Sequence, residues 1–431
     1  MTGPSARPVV IEVTNTLSVD FTTGIQRVLR QVVKGLSGPA GEGLEVIPVL
    51  QPSPDSPFRR LTDEETARLA AHPAGGRAGR RADDLGPLAP VARRVGDLPV
   101  TLKLRAALGA WRRRRRELHP TRRELEFDAF EPGTIFFDLD GSWYDPTPRS
   151  RLLPDLAARG VRIVPFVYDL MPLRHPEWFP PQQVALFESW ADAHAHHADA
   201  ALAISHRTAA DLADAVDAAR PGHVVPTTVV PLGAELPSSL PRRPPGAPEL
   251  PQRFVLVVGT LEPRKDQALV LDAFDRLRSD HPDLCLVLVG KEGWMVDPLV
   301  RRLRSHPLLG SRLLWLGGVD DDELTWLYRN AFVVVAPSRY EGYGMPVVEA
   351  LANGAATIAS TGGAQVEAAG DRAEVFEPGD LAALCSLLRR HLDEPDHHRR
   401  QVDATAGYVP ATWDDTARVV GDALRALGTS G

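Results

Sequence analysis

The chain has 431 residues, 43% hydrophobic and 24% charged, an ordinary globular composition and enough length for two or three domains. Two cysteines, Cys285 and Cys385, are too few for a disulfide framework, and both lie in apolar runs, so buried free thiols in a reducing compartment are expected. The net charge of −7 is uneven: residues 52–125 carry 17 Lys+Arg against 9 Asp+Glu, a local +8 that leaves −15 for the rest.

"VVIEV" (9–13) reads as the first strand, followed by a helix from about Gly24 to Gly35 and a second strand, "LEVIPVL" (44–50). The Arg-rich insertion 52–125 comes next, densest at "WRRRRR" (111–116). It reads either as a solvated helix or as a patch for an anionic membrane surface. A nucleic-acid groove would need interleaved aromatics, and the insertion has only Phe58 and Trp111, so nucleic acid is not an expected partner. Strands resume at "TIFFDLD" (134–140), "VRIVPFVYD" (161–169), "ADAALAIS" (198–205) and "TTVVPLG" (227–233). The proline-rich stretch 234–253 can hold neither helix nor central strand and reads as a linker. Five more apolar runs follow, 253–260, 284–290, 312–318, 331–338 and 355–360, each separated by a helical stretch. This alternation predicts an α/β protein with two Rossmann-like domains, each a parallel sheet covered on both faces. No run approaches about 18 apolar residues. The N-terminus lacks a signal-peptide pattern, so a cytoplasmic protein, soluble or peripheral at the inner face of the membrane, is expected.

Ligands of open parallel sheets bind beyond the carboxyl ends of the strands. After the strand 253–260 comes "EPRKD" (262–266), with Arg264 and Lys265 at the mouth of a helix. That combination suits an anion such as a phosphate. The alternative is a plain basic helix start in which Asp266 serves as the cap. After the strand 331–338 comes "YEGYGMPVVEALANG" (340–354). Glu341 precedes a helix and Glu349 lies one turn into it. Two carboxylates at adjacent heights suit a polyol; otherwise Glu349 supports the helix and Glu341 is solvated. "DLD" (138–140) resembles a metal motif but ends a first-domain strand, so Asp140 or the following Trp143-Tyr144 is read as lining an acceptor cleft. "DDDE" (320–323) reads as a helix N-cap, and "HAHH" (194–197) offers no third metal ligand.

"EGYGMPVVE" matches the E-x7-E pattern of the family 4 retaining glycosyltransferases, which have the GT-B fold, and "GTLEPRKD" resembles their donor-phosphate motif. "TTGIQRVLRQVVKGL" (22–36), "FVYDLMPLRHPEWF" (166–179), "ALAISHRTAADL" (201–212) and "TGGAQVEAAGDRAEVFEP" (361–378) are similar to segments of that family. Gln365, Arg372 and Tyr168 depart from it; many relatives have histidine where Tyr168 stands. The resemblance implies an acceptor-binding domain over 1–240, a nucleotide-sugar domain over 250–408 and a C-terminal helix, 409–431, crossing back to the first. It implies that Arg264 and Lys265 bind the donor diphosphate, Glu349 the ribose and Glu341 the donor sugar. Gly24, Gly259, Gly342, Tyr343, Gly344 and Met345 would complete the donor site. Asp169 would orient or deprotonate the acceptor, with Asp140, Tyr144 and Tyr168 nearby. Glu341, Asp169, Arg264 and Lys265 are the implied catalytic set. Neither metal nor cofactor is implied; the partners are a nucleotide-diphosphate sugar and a glycan or lipid-linked acceptor of cell-surface polysaccharide or glycoconjugate synthesis. A non-catalytic scaffold subunit, or a GT-B phosphorylase or epimerase, is the competing reading.

Overall fold

The computed structural model describes residues 6–19, 24–54, 56–71, 127, 130–234, 241–244 and 253–427. The Arg-rich run 111–116, with most of the insertion, and Thr23 lie outside these residues.

Two sheets carry the chain. The first has the order β3-β2-β1-β4-β5-β6-β7, built from β1 (Arg7–Glu12), β2 (Leu44–Leu50), β3 (Arg59–Arg60), β4 (Ile135–Asp138), β5 (Arg162–Val167), β6 (Ala201–Ala203) and β7 (Thr227–Val229). It is parallel except for β3, a two-residue edge strand running antiparallel to β2. The second sheet is wholly parallel, in the order β10-β9-β8-β11-β12-β13. Its strands are β8 (Phe254–Val258), β9 (Cys285–Val289), β10 (Leu313–Leu316), β11 (Val333–Ala336), β12 (Thr357–Ser360) and β13 (Glu374–Phe376). Cys285 and Cys385 are buried free thiols.

The near-continuous apolar strands are explained by cover on both faces. In β1, Val9 and Ile11 pack with Val28, Leu29, Val32 and Leu36 of the helix Gly24–Leu36. Val10, on the opposite face, meets Phe136, Ile163 and Leu153. In β8, Val255 and Val257 pack under the helices Gln267–Leu277 and Leu381–Asp393, while Phe254 and Leu256 meet Leu327 and Tyr328 of the helix Asp321–Asn330. Each such fully buried aliphatic or aromatic side chain contributes about 1.5–3 kcal/mol. Polar residues fix where the helices begin. Asp320 accepts from Glu323 N while the Glu323 side chain returns to Asp320 N, and Thr412 and Asp415 repeat this capping box at the last helix, Trp413–Ala426. That last helix lies on the first lobe, with Val420 and Leu424 in the same core as β1 and Arg425 donating to Ala40 O at 2.8 Å.

Strand order reverses between β1 and β4 in one sheet and between β8 and β11 in the other. These are the switch points at which an open α/β sheet holds its ligands.

Candidate active site

At the second-lobe switch point, the segment after β8 and the segment after β11 meet. Pro263–Lys265 forms a single 3-10 turn before the helix Gln267–Leu277. Asp266 is that helix's N-cap residue, at φ 47°, but its side chain makes no capping bond. It accepts instead from Arg339 Nε at 2.9 Å, so the alternative in which Asp266 caps this helix through its side chain is not what forms. Arg339 N donates in turn to Arg264 O at 2.7 Å, clamping the two segments together.

The result is a small charged constellation around Glu341. Arg264 Nη1 donates to Glu341 Oε2 at 3.0 Å, Lys265 Nζ pairs with Oε1, and Ser338 Oγ donates to Oε1 at 2.6 Å. Arg264 Nε also pairs with Glu262 Oε2 at 2.9 Å. Burial alone would push the Glu341 carboxyl up, but the Lys265 and Arg264 charges and the three hydrogen bonds outweigh it and hold Glu341 at about 2. The Lys265 stem lies over Gly259 at the end of β8.

Two glycines let the backbone make this turn. Gly342 packs against the first lobe: a Cβ there would stand 2.3 Å from Tyr168 O and 3.0 Å from Asp169 Cβ. Its carbonyl accepts from Ser205 Oγ at 2.6 Å and Thr208 Oγ1 at 3.1 Å. Gly344, at φ 97°, starts the helix Met345–Ala352 in a conformation that favours glycine. Tyr343 and Met345 pack against the first lobe's core, and the Tyr343 hydroxyl both donates to Leu232 O and accepts from Leu232 N at 3.1 Å.

Asp169 follows β5 and faces this cluster from the first lobe, accepting from Met171 N at 3.0 Å. Its carboxyl is pushed up to about 6 by burial, which Arg264 only partly offsets and the negative charge of Glu341 and Glu262 reinforces. Glu349 is buried one turn into its helix. Tyr328 OH donates to Glu349 Oε2 at 2.9 Å, and Arg27 of the first lobe stands 3.6 Å from Oε1. Arg27 also pairs with Asp321 at 3.1 Å, so one guanidinium joins the lobes beside Glu349. Gly24 opens the helix carrying Arg27, and a Cβ there would stand in open space.

Two of the residues expected to line an acceptor cleft are instead spent on the fold. Asp140, 1% exposed, accepts from Thr16 N at 2.7 Å, Thr16 Oγ1 at 2.9 Å and Gly141 N at 2.8 Å, closing the start of the short helix Thr14–Ser18. Tyr168 donates its hydroxyl to Leu139 O at 2.8 Å inside the first core, and burial pushes the phenol well above its usual range. Tyr144 is half exposed beside Trp143. Sequence reasoning passed over Arg27 and Ser338. Ser338 carried a usable signal as the polar residue closing a strand at a switch point, and Arg27 one as the first cation of the helix opened by Gly24.

The two-lobed α/β architecture is that of the GT-B glycosyltransferases. Sucrose-phosphate synthase from Thermosynechococcus elongatus superposes with a TM-score of 0.58 at 17% identity, over 99% of this chain and 100% of that one. Anabaena HepE in complex with UDP gives 0.52 at 15%, over 98% and 97%. Residues 242–407 match the family described as Glycosyl transferases group 1, so the second lobe carries a domain of that family. Among curated relatives, the serotype-specific mannosyltransferase WbdA of Escherichia coli is 33% identical over 245 residues, 52% of this chain and 30% of WbdA. The O-antigen chain mannosyltransferase B of Escherichia coli is 32% identical over 174 residues, 38% and 43% of the two chains. The chain thus spans less than half the length of these relatives.

Proposed function

We propose that the chain is a family 4 retaining hexosyltransferase that moves a sugar, mannose in the first instance, from a nucleoside-diphosphate donor to a hydroxyl of a glycan or lipid-linked acceptor in cell-surface polysaccharide synthesis. The observation that carries this reading is Glu341, gripped by both Arg264 and Lys265 at a switch point. The names of the curated relatives support mannose and O-antigen chemistry, and HepE supports a nucleotide in the cleft of this fold.

In this reading the donor diphosphate takes over the two cations and frees Glu341 to accept from hydroxyls of the sugar. Glu349 accepts from the ribose. As the bond between the anomeric carbon and the phosphate oxygen breaks, charge gathers on the departing phosphate, where Arg264 and Lys265 stabilise it. The acceptor oxygen bonds to the anomeric carbon from the same face, and its proton passes to the departing phosphate. Asp169 orients the acceptor hydroxyl. The leaving charge is met by side chains, so this route calls for no metal.

The test is nucleoside-diphosphate release by the purified chain from GDP-mannose, UDP-sugars and dTDP-sugars, with and without EDTA. GDP-mannose should be turned over fastest, with EDTA changing the rate less than about two-fold. No release above background from any donor would overturn the proposal. No helix among the described residues is long and apolar enough to cross a membrane. We place the chain at the inner membrane face through its basic insertion, worth on the order of 1 kcal/mol per basic residue at an anionic surface. Liposome co-sedimentation that is unchanged by deleting residues 103–123 would refute that placement.

A further inference from the structure

Far from the cleft, three elements converge on one carboxylate. Glu374 opens β13, His391 lies in the last turn of the helix Leu381–Asp393, and His397 lies in the next helix, Pro395–Ala404. Both imidazoles are almost fully buried, His391 at 1% and His397 at 2% exposure. His391 Nε2 donates to Glu374 Oε2 at 2.8 Å, and His397 Nε2 donates to the same oxygen at 3.0 Å. The three ligand atoms lie within 4.8 Å of one another. Two metal bonds of about 2.0–2.1 Å at a tetrahedral angle would hold neighbouring ligand atoms about 3.3 Å apart, so a few tenths of an ångström of expansion would admit an ion.

We propose that Glu374, His391 and His397 form a zinc-class metal site that pins the end of the second sheet to the two helices ahead of the C-terminal crossing. Two imidazoles and one carboxylate favour Zn²⁺ over Mg²⁺ or Ca²⁺, which prefer all-oxygen sets. A pocket of about 310 Å³ lined by Phe332, His391, Pro395 and His398 adjoins the cluster at His391. Loading moves each imidazole proton from Nε2 to Nδ1. At His391 that proton has a partner already, because His398 Nδ1 stands 3.0 Å away. At His397 it does not: Arg390 Nη2 donates to His397 Nδ1 at 3.1 Å, and Arg390 Nη1 stands 3.3 Å from Glu374 Oε1. Arg390 must therefore swing out on loading. Its side chain is 47% exposed, so the movement has room, and the bonds it gives up weaken the net affinity.

The test is titration of the chelator-stripped full chain with Zn²⁺ alone. One equivalent should bind with a Kd of about 10 μM or tighter, and near 100 Kd the Tm should rise by about 2–5 °C. E374Q and H397N should weaken binding at least about 20-fold. A H196A/H197A double variant, which disrupts the other closely spaced histidine run, should bind as the wild type does. If a cluster variant fails to fold, zinc-edge absorption of the 1:1 wild-type complex decides, since two imidazole ligands are required. A wild-type Kd above about 1 mM, binding undiminished in E374Q, or fewer than two imidazoles would each overturn the site, leaving the cluster as a hydrogen-bonded staple.

Discussion

Both switch points carry acids and an arginine, yet they have opposite characters. At the first, Glu12 ends β1 and Asp138 ends β4, and both turn onto Arg149 together with Asp145, at 3.0, 2.8 and 2.9 Å. His194 stands 3.0 Å from Asp138, and Ser142 donates to Asp138 at 2.8 Å. Arg149 and its acidic partners are all but fully buried. At the second, Arg264, Lys265 and Glu341 keep 15%, 12% and 10% of their side-chain surface. One topological position has been closed into a charged keystone; the other has been left reachable. The same residue types therefore do not report function by themselves. Access does.

Breaking the keystone should have the largest effect. Arg149→Ala strands three buried carboxylates, and truncating one side of a buried ion pair costs about 3–5 kcal/mol. Urea unfolding followed by tryptophan fluorescence reads this, and a loss under about 1 kcal/mol would show that protons rather than Arg149 balance the cluster. At the open site the loss should fall on turnover instead. Lys265→Ala or Glu341→Ala should lower it at least about 100-fold, on the order of 2.7 kcal/mol of transition-state stabilisation, with a smaller loss of unfolding free energy than Arg149→Ala gives. A double variant with full activity would sink the assignment.

The two carboxylates that face each other across the cleft should separate by pH. Asp169 sits at about 6 and Glu341 at about 2. If Asp169 must be ionised to orient the acceptor, kcat/KM should fall below a midpoint near pH 6, and Asp169→Asn should remove that limb. A midpoint near 4 would reassign it. The stability signs are opposite. Ionised Asp169 costs the fold stability, a cost absent below about pH 4 and complete above about pH 6. Glu341 contributes stability that is present above about pH 4.5 and lost as pH falls towards 2. The smallest effect belongs to Arg27→Ala, a partly exposed bridge worth about 0.5–1 kcal/mol, read as a rise of about two- to five-fold in KM for the donor with kcat little changed.

The legibility of the molecule in its sequence follows the same divide. Arg264, Lys265, Glu341 and Glu349 sit in short contiguous motifs that each follow a strand, and the fold brings these motifs together at one switch point. The keystone could not, because residues 12, 138, 145, 149 and 194 are joined only by folding. The D-x-D of Asp138 and Asp140, with Asp140 read as an acceptor residue, gives no sign that the fold uses Asp138 as an ion-pair partner and Asp140 as the acceptor for Thr16 N in the first turn of a helix. Strand periodicity located eleven segments close to where they form; β3 (Arg59–Arg60) and β13 (Glu374–Phe376), at the edges, carry no apolar run of their own to mark them. Asp266, at φ 47°, gives its carboxylate to Arg339 and not to the helix start, a pairing across 73 residues that no local motif announces.

The chain passes between the lobes twice, once after Ala234 and once before Trp413. These two passages lie side by side: Ala234 N donates to Ala411 O at 3.2 Å, Gly233 N donates to Thr416 Oγ1 at 2.9 Å, and Thr416 Oγ1 donates to Pro231 O at 2.8 Å. The stitch also reaches the second switch point: Leu232, the residue before Gly233, accepts from the Tyr343 hydroxyl through its carbonyl and donates to it through its N–H, so the chain crossing and the loop that carries Glu341 share one anchor.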